Sequence, residues 1–157
     1  PVEHLAALRA IPNLLVFRPA DTIEAMECWK LALEHKTAPS ALALSRQKTP
    51  AVRTVAASEN LSGRGAYEIR AASSEAPVPC FELFEQQDAA YQASVIGRGT
   101  VRVAIEAGIK QGWERFIGED GAFIGMSSFG ASAPAEVLYR EFGITADAVV
   151  AAVQARL

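Results

Sequence analysis

The sequence predicts an α/β protein built around a parallel strand–helix–strand unit, and three observations carry that prediction. Leu14-Leu15-Val16-Phe17 is a continuous apolar run, the pattern of a short strand covered on both faces. A segment of helical period follows Asp21, and Ala41-Leu42-Ala43-Leu44 then supplies a second apolar run. A crossover of this length favours a parallel pair with a right-handed connection.

In chain order, residues 2–11 form an apolar, helix-like stretch ahead of the first strand. Arg18-Pro19-Ala20 ends that strand. Asp21 stands where a helix N-cap belongs, and Glu24 three residues on completes capping-box spacing. On the helix that follows, Ala25, Met26, Cys28, Trp29, Ala32 and Leu33 share one face, the apolar face an amphipathic helix turns to its core. Glu24, Glu27, Lys30 and Glu34 fall on the other. Pro39 marks the exit into the second strand. Residues 45–66 hold no sustained period and carry Pro50, Gly63 and Gly65, so they read as a long irregular interdomain connection.

A strand at 66–69 is expected to begin the second domain. A polar, small-residue stretch at 71–79 reads as a join, and 81–87 and 88–95 read as short helices. The β-branched content of 101–105 predicts a strand. Ser132 and Pro134 suit the start of a helix running through Phe142 and stopped by Gly143. Thr145 caps a final helix with an apolar seam of Val149, Val150, Val153 and Leu157.

The chain has 157 residues, half of them apolar and a fifth charged, with a formal net charge of −3. That is globular composition, enough for one ordinary domain or two small ones. Basic and acidic residues are mixed throughout, so nucleic acid is not an expected partner. The apolar runs fall short of the roughly 20 residues that cross a bilayer, and no membrane association or signal peptide is expected. Cys28 and Cys80 read as free thiols of a reducing cytoplasm. The chain opens at Pro1 without an initiator Met, as processing or membership of a longer protein would produce.

Few residues suggest chemistry. His4 and His35 lie near no cysteine or spaced acid pair and read as solvated surface histidines, since metal sites need several convergent ligands. Gly118-Glu119-Asp120-Gly121, with Gly125 and Gly130, is glycine-rich but lacks a Walker lysine and the G-x-G-x-x-G order, so it reads as a surface loop. Glu119 and Asp120 read as solvated acids. Arg46, in Leu44-Ser45-Arg46-Gln47, follows the second strand. Ligands of open parallel sheets gather outside the carboxyl ends of strands, and a guanidinium there can hold a phosphate by two parallel hydrogen bonds. A surface arginine paired with a neighbouring acid is equally compatible with its position.

Two longer stretches go beyond a generic α/β pattern. The first comprises Pro1-Val2-Glu3-His4-Leu5, Leu8-Arg9-Ala10-Ile11-Pro12-Asn13, Arg18-Pro19-Ala20-Asp21 and Ala43-Leu44-Ser45-Arg46-Gln47. In that order it resembles the end of the pyrimidine-binding domain of transketolases. The second comprises Val101-Arg102-Val103-Ala104-Ile105-Glu106-Ala107-Gly108, Gly112-Trp113, and 118–134 with Ser128-Phe129-Gly130-Ala131-Ser132-Ala133-Pro134. It is similar to the close of the transketolase C-terminal domain. With Phe81-Glu82-Leu83-Phe84 and Asp88, the resemblance covers nearly the whole chain.

The resemblance implies a parallel-sheet βαβ end of a thiamine-diphosphate pyrimidine-binding domain at 1–47, a linker at 48–65, and a small, incomplete α/β C-terminal domain at 66–157. It implies a cytoplasmic, homodimeric enzyme of the pentose phosphate pathway. Such an enzyme moves a two-carbon ketol unit between sugar phosphates with thiamine diphosphate and Mg²⁺, and its active site lies between two subunits. Arg46 matches the arginine that holds the substrate phosphate. The family's Asp-Gly-Pro-Thr-His-Gln phrase, its cofactor-activating carboxylate and its metal- and diphosphate-binding domain have no counterpart in this sequence. A strand, a helix and another strand of the C-terminal domain are also lacking between Ala76 and Pro77. No catalytic, cofactor or metal residues are therefore assigned. Glu119, Asp120 and Ser132 stay outside the site, and the C-terminal domain is expected to serve assembly. The isolated chain is expected to bind no cofactor and to be inactive. The alternative is a non-catalytic α/β binding or assembly module derived from a truncated transketolase.

Overall fold

The chain opens with a short helix, α1 (His4–Arg9), and the boundary between two units of the computed structural model falls inside it. One unit is Leu8–Arg98; the other joins Pro1–Ala7 to Gly99–Leu157. The structure describes residues 2–69 and 75–157.

In the first unit, β1 (Leu15–Phe17) and β2 (Ser40–Leu42) pair in parallel, with Leu15 opposite Ser40 and Phe17 opposite Leu42. All three residues of β1 are buried, as a strand covered on both faces requires. Between them runs α2 (Thr22–Glu34), started by Asp21, whose Oδ1 accepts from the Glu24 amide at 2.9 Å. Leu15, Phe17, Cys28, Cys80 and Leu83 form the core, with Leu31, Ala32, Ala38 and Leu42 packed against it.

The amphipathic reading of α2 needs correction. Met26, Trp29 and Leu33 are 68%, 52% and 73% exposed, whereas Glu24 is buried to 1%. Of the face expected in solvent, Lys30 and Glu34 are exposed, but Glu24 and Glu27 are covered by the returning segment 52–67, while Cys28 and Ala32 of the apolar face do reach the core. The returning segment brings donors that satisfy those two carboxylates, so covering them is not penalised as an unpaired charge would be.

The returning segment contains a 3-10 turn at Leu61–Arg64, capped by the Asn60 side chain and closed by Gly65 at φ 77°. Residues 66–69 do not form the regular strand expected. Instead the amides of Tyr67 and Ile69 donate to the carbonyls of Pro77 and Glu75. Part of the expected polar join at 71–79 lies outside the described residues. Helix α3 (Phe81–Glu85) follows, then α4 (Ala89–Ile96), which Asp88 caps by accepting from the Tyr91 amide. α3 lies along β1, and the Val16 amide donates to Glu82 Oε2 at 3.1 Å. The Arg18 amide donates to Pro79 O at 2.8 Å, so the side of β1 away from β2 is satisfied locally.

The second unit pairs β3 (Val103–Ile105) with β4 (Ala122–Ile124), again in parallel, around the short helix α5 (Glu114–Ile117). Trp113 anchors it. The ring meets Phe116 edge-on at 5.7 Å and lies tilted at 6.2 Å from Phe123, while Nε1 donates to the buried Glu106 Oε2 at 2.7 Å. Helix α6 (Ala135–Glu141) ends before Gly143 at φ 67°. Thr145 caps α7 (Ala146–Gln154), which packs on β3 and β4. Its expected seam is half right: Val149 and Val153 are partly buried, but Val150 and Leu157 are exposed.

Candidate functional site

The carboxyl ends of β1 and β2 open onto one corner of the first unit. From β2 the chain makes one more parallel-type contact, the Ala43 amide donating to Phe17 O at 2.8 Å, and then leaves the sheet. Residues 44–52 are all exposed, and Arg46 stands in this stretch. Ser45 Oγ donates to Gln47 O at 2.9 Å, a local turn beside Arg46. The chain is caught again at Asp21, whose Oδ2 accepts from the Val52 amide at 3.0 Å and the Arg53 amide at 2.7 Å. Asp21 thus uses one oxygen on the helix and the other on the returning chain. Burial alone would raise its pKa. The amides of Arg53, Glu24 and Val52, with the Arg53 charge, outweigh burial and hold the carboxyl below its ordinary range.

Behind Asp21 lies a network of buried charges. Glu24 Oε1 accepts from Tyr67 Oη at 2.6 Å and its Oε2 from the Ala20 amide at 2.6 Å. Burial pushes the Glu24 carboxyl up, and the Asp21 charge adds to this. Glu27 Oε2 accepts from both the amide and Oγ of Ser62 and sits 2.7 Å from Arg53 Nη2. The Arg53 N–H vectors miss that carboxylate, so the contact is an ion pair rather than a directed hydrogen bond. Burial works against ionised Glu27, but Arg53 and Ser62 win and its pKa is lowered. The Arg53 guanidinium also lies 5.0 Å from the Tyr67 ring centre.

Of the other residues considered from sequence, His4, Glu119, Asp120 and Ser132 belong to the second unit. His4 is the first residue of α1, and His35 ends α2 with Nε2 3.2 Å from Thr37 Oγ1. Glu119 and Asp120 are exposed in the turn before β4, where the Asp120 carbonyl accepts from Arg156 Nε. Ser132 is exposed ahead of α6. Both cysteines are free and buried. Burial pushes the Cys28 thiol to about 12 and the Cys80 thiol higher, so neither is a thiolate near neutrality. Among the described residues no three metal-ligating side chains converge. Sequence reasoning missed Arg53, Tyr67 and Ser62. The capping pair Asp21–Glu24 was visible, but contacts to residues 32 to 43 positions away leave no periodic signal.

Each unit holds a parallel strand pair, and the exposed loop carrying Arg46 follows the β1–β2 pair, which makes this an α/β protein of the class whose ligands gather outside strand ends. Two family models cover it: the transketolase pyrimidine-binding domain matches residues 1–52, and the transketolase-like C-terminal domain matches residues 51–145. The chain belongs to the transketolase family. It is 50% identical over 183 residues to a transketolase of Sinorhizobium medicae, covering 96% of this chain and 26% of that protein. Transketolase from Leishmania mexicana superposes with a TM-score of 0.85 at 36% identity, over 98% of this chain and 27% of the other. The Pichia stipitis transketolase complexed with sedoheptulose-7-phosphate gives 0.87 at 25% identity, over 99% and 27%. The chain therefore spans about a quarter of the length of these relatives. The alignment with the Sinorhizobium protein runs over 183 residues yet covers only 96% of this chain's 157, so that relative has residues inside the matched span without counterpart here.

Proposed function

We propose that these residues are part of a transketolase that transfers a two-carbon ketol unit between sugar phosphates, using thiamine diphosphate and Mg²⁺ in the complete enzyme. Family membership supports the reaction class, and the observation that carries the local role is Arg46 on an exposed loop beyond the carboxyl ends of two parallel strands. Arg46 holds the substrate phosphate by charge-assisted hydrogen bonds. That remote binding energy orients the reacting carbon. Segments 1–47, 48–65 and 66–157 correspond to the end of the pyrimidine-binding domain, a linker and a C-terminal domain shortened near 76–77; the greater length of the relative's alignment supports the shortening. The assembly is a cytoplasmic homodimer working in sugar-phosphate metabolism.

The residues present do not fit a diphosphate–metal centre. Asp21, Glu24, Glu27 and Glu106 each have a carboxylate already engaged by an amide, a hydroxyl, an arginine or an indole. The cofactor's ligands are therefore assigned to parts of the enzyme outside the 157 residues, and the isolated chain is expected to be inactive.

Intact-mass spectrometry on the protein as purified, followed by a ketol-transfer assay with thiamine diphosphate and Mg²⁺, tests the proposal. A mass several times 16.7 kDa and saturable transfer between sugar phosphates are expected. Arg46→Ala is expected to raise KM for ribose 5-phosphate by about 10- to 100-fold, the loss of one or two charged hydrogen bonds. A mass near 16.7 kDa with no turnover would overturn the enzyme reading in favour of a non-catalytic module.

A further inference from the structure

We propose that Asp21 is a positioning residue for the Arg46 loop. One carboxylate oxygen caps α2 while the other clasps the amides of Val52 and Arg53, holding the loop closed beside the strand ends. This rests on the reading of Arg46 as the phosphate ligand.

The loop leaves β2 at Ala43, whose amide is bound to Phe17 O, and returns at Val52. Asp21 lies four residues beyond Phe17, so both ends of the loop are fastened to the same stretch after β1. Between these anchors every residue from 44 to 51 is exposed and contributes nothing to the core. The direction in which Arg46 points therefore depends on how tightly the two ends are held. A ligand-binding side chain on a loop with one free end would pay the ordering cost at binding, whereas a loop closed beforehand has already met it. The carboxylate suits this work because it alone can accept from the helix amide with one oxygen and from two consecutive loop amides with the other. The pKa direction agrees: the same three amides favour the ionised form. Glu27 holds the Arg53 side chain deeper in the unit, so the segment after the clasp stays docked when Asp21 changes. Loss of the clasp is thus expected to loosen the loop without unfolding the unit.

Asp21→Asn separates these roles. Asparagine is as good an N-cap as aspartate, but its amide nitrogen would face two backbone donors and cannot accept from them. Titration calorimetry with ribose 5-phosphate on the intact protein compares wild type, Asp21→Asn, Arg46→Ala and the double variant. The expected result is about tenfold weaker binding for Asp21→Asn, with no further loss when it is added to Arg46→Ala. In ketol transfer the change falls on KM, with kcat within about twofold. If Arg46→Ala weakens binding and Asp21→Asn does not, the positioning role is wrong and the phosphate reading stands. If Asp21→Asn weakens binding equally in both backgrounds, its effect is general destabilisation and the proposal fails. If Arg46→Ala binds as wild type, the phosphate reading fails and takes this proposal with it. Should Asp21→Asn be insoluble, Asp21→Ser keeps a capping oxygen too short for the loop and enters the same cycle.

Discussion

Tyr67, Glu24, Arg53 and Glu27 show how a buried polar network differs from a set of surface charges. Tyr67 donates to a carboxylate that is only 1% exposed, and replacing it with Phe leaves Glu24 Oε1 without that donor. Tyr67→Phe is expected to cost about 1–3 kcal/mol, read as a lower urea midpoint at unchanged slope. Glu27→Gln leaves the buried guanidinium of Arg53 without its countercharge and is expected to cost about 3 kcal/mol at pH 7. The pH dependence follows from the shift directions. The folded-state pKa values of Asp21 and Glu27 lie below their ordinary 3.8 and 4.5. As pH falls the unfolded chain takes up these protons first, so their stabilisation is complete above about pH 4.5 and is lost as pH drops through the lower folded values. Glu24 runs the other way, because its folded pKa is raised: its contribution is present below 4.5 and is lost as pH rises through the folded value. The stability gap between wild type and Glu27→Gln should therefore narrow on acidification below pH 4.5. Urea midpoints across that range measure it; a gap that widens would contradict the assignment.

At the level of elements, the short strands are held less by their two-stranded ladders than by what lies beside them. Gly65 shows how tightly α3 is docked. With φ at 77°, it occupies the left-handed region, and a Cβ there would collide with the carbonyl of Cys80 and the amide of Phe84. Both atoms are backbone, so neither can move aside. Gly65→Ala is expected to lower stability by more than about 2 kcal/mol, with the thermal midpoint as readout. On α2 the amphipathic pattern holds for Cys28, Ala32, Lys30 and Glu34 but fails at Met26, Trp29 and Leu33, which are exposed. Met26 and Leu33 touch little, and Met26→Lys or Leu33→Gln should shift stability by less than about 0.5 kcal/mol. A large loss at either position would mean that the apolar stripe is buried after all. Two of the caps, by contrast, were legible, Asp21 and Thr145, while Asp88 was not named; each of the three accepts from the amide three positions on. Asp21 and Thr145 could be named beforehand because capping depends on a side chain's reach to its own helix and on nothing distant.

For the whole molecule, family membership and local geometry have different reach. The family models account for residues 1–145, yet the compact unit Leu8–Arg98 draws together segments that the two models divide near residue 52. What joins them is the charged network, since Arg53, Ser62 and Tyr67 lie in the C-terminal match while Asp21, Glu24 and Glu27 lie in the pyrimidine-binding match. The 157-residue chain expressed alone should show no ketol transfer with added thiamine diphosphate and Mg²⁺. The proposed phosphate contact of Arg46 would not replace the groups that bind and orient a cofactor. Saturable turnover by a chain of verified mass would refute this.

The sequence by itself determined the α/β class, the parallel pairing of β1 with β2, the helix caps and the family, because each is encoded in local period, local reach or a continuous motif. Tertiary structure alone decided which face of α2 is buried. Periodicity places side chains around a helix axis but does not say which neighbour arrives. Here the neighbour is a chain segment carrying Arg53, Ser62 and Tyr67, whose contacts to Glu24 and Glu27 let those two carboxylates be covered beside Cys28 while Met26 and Leu33 stay exposed. The same long-range hydrogen bonds tie Asp21 to the loop of Arg46, a relation between residues 31 and 32 positions apart that no window along the sequence contains.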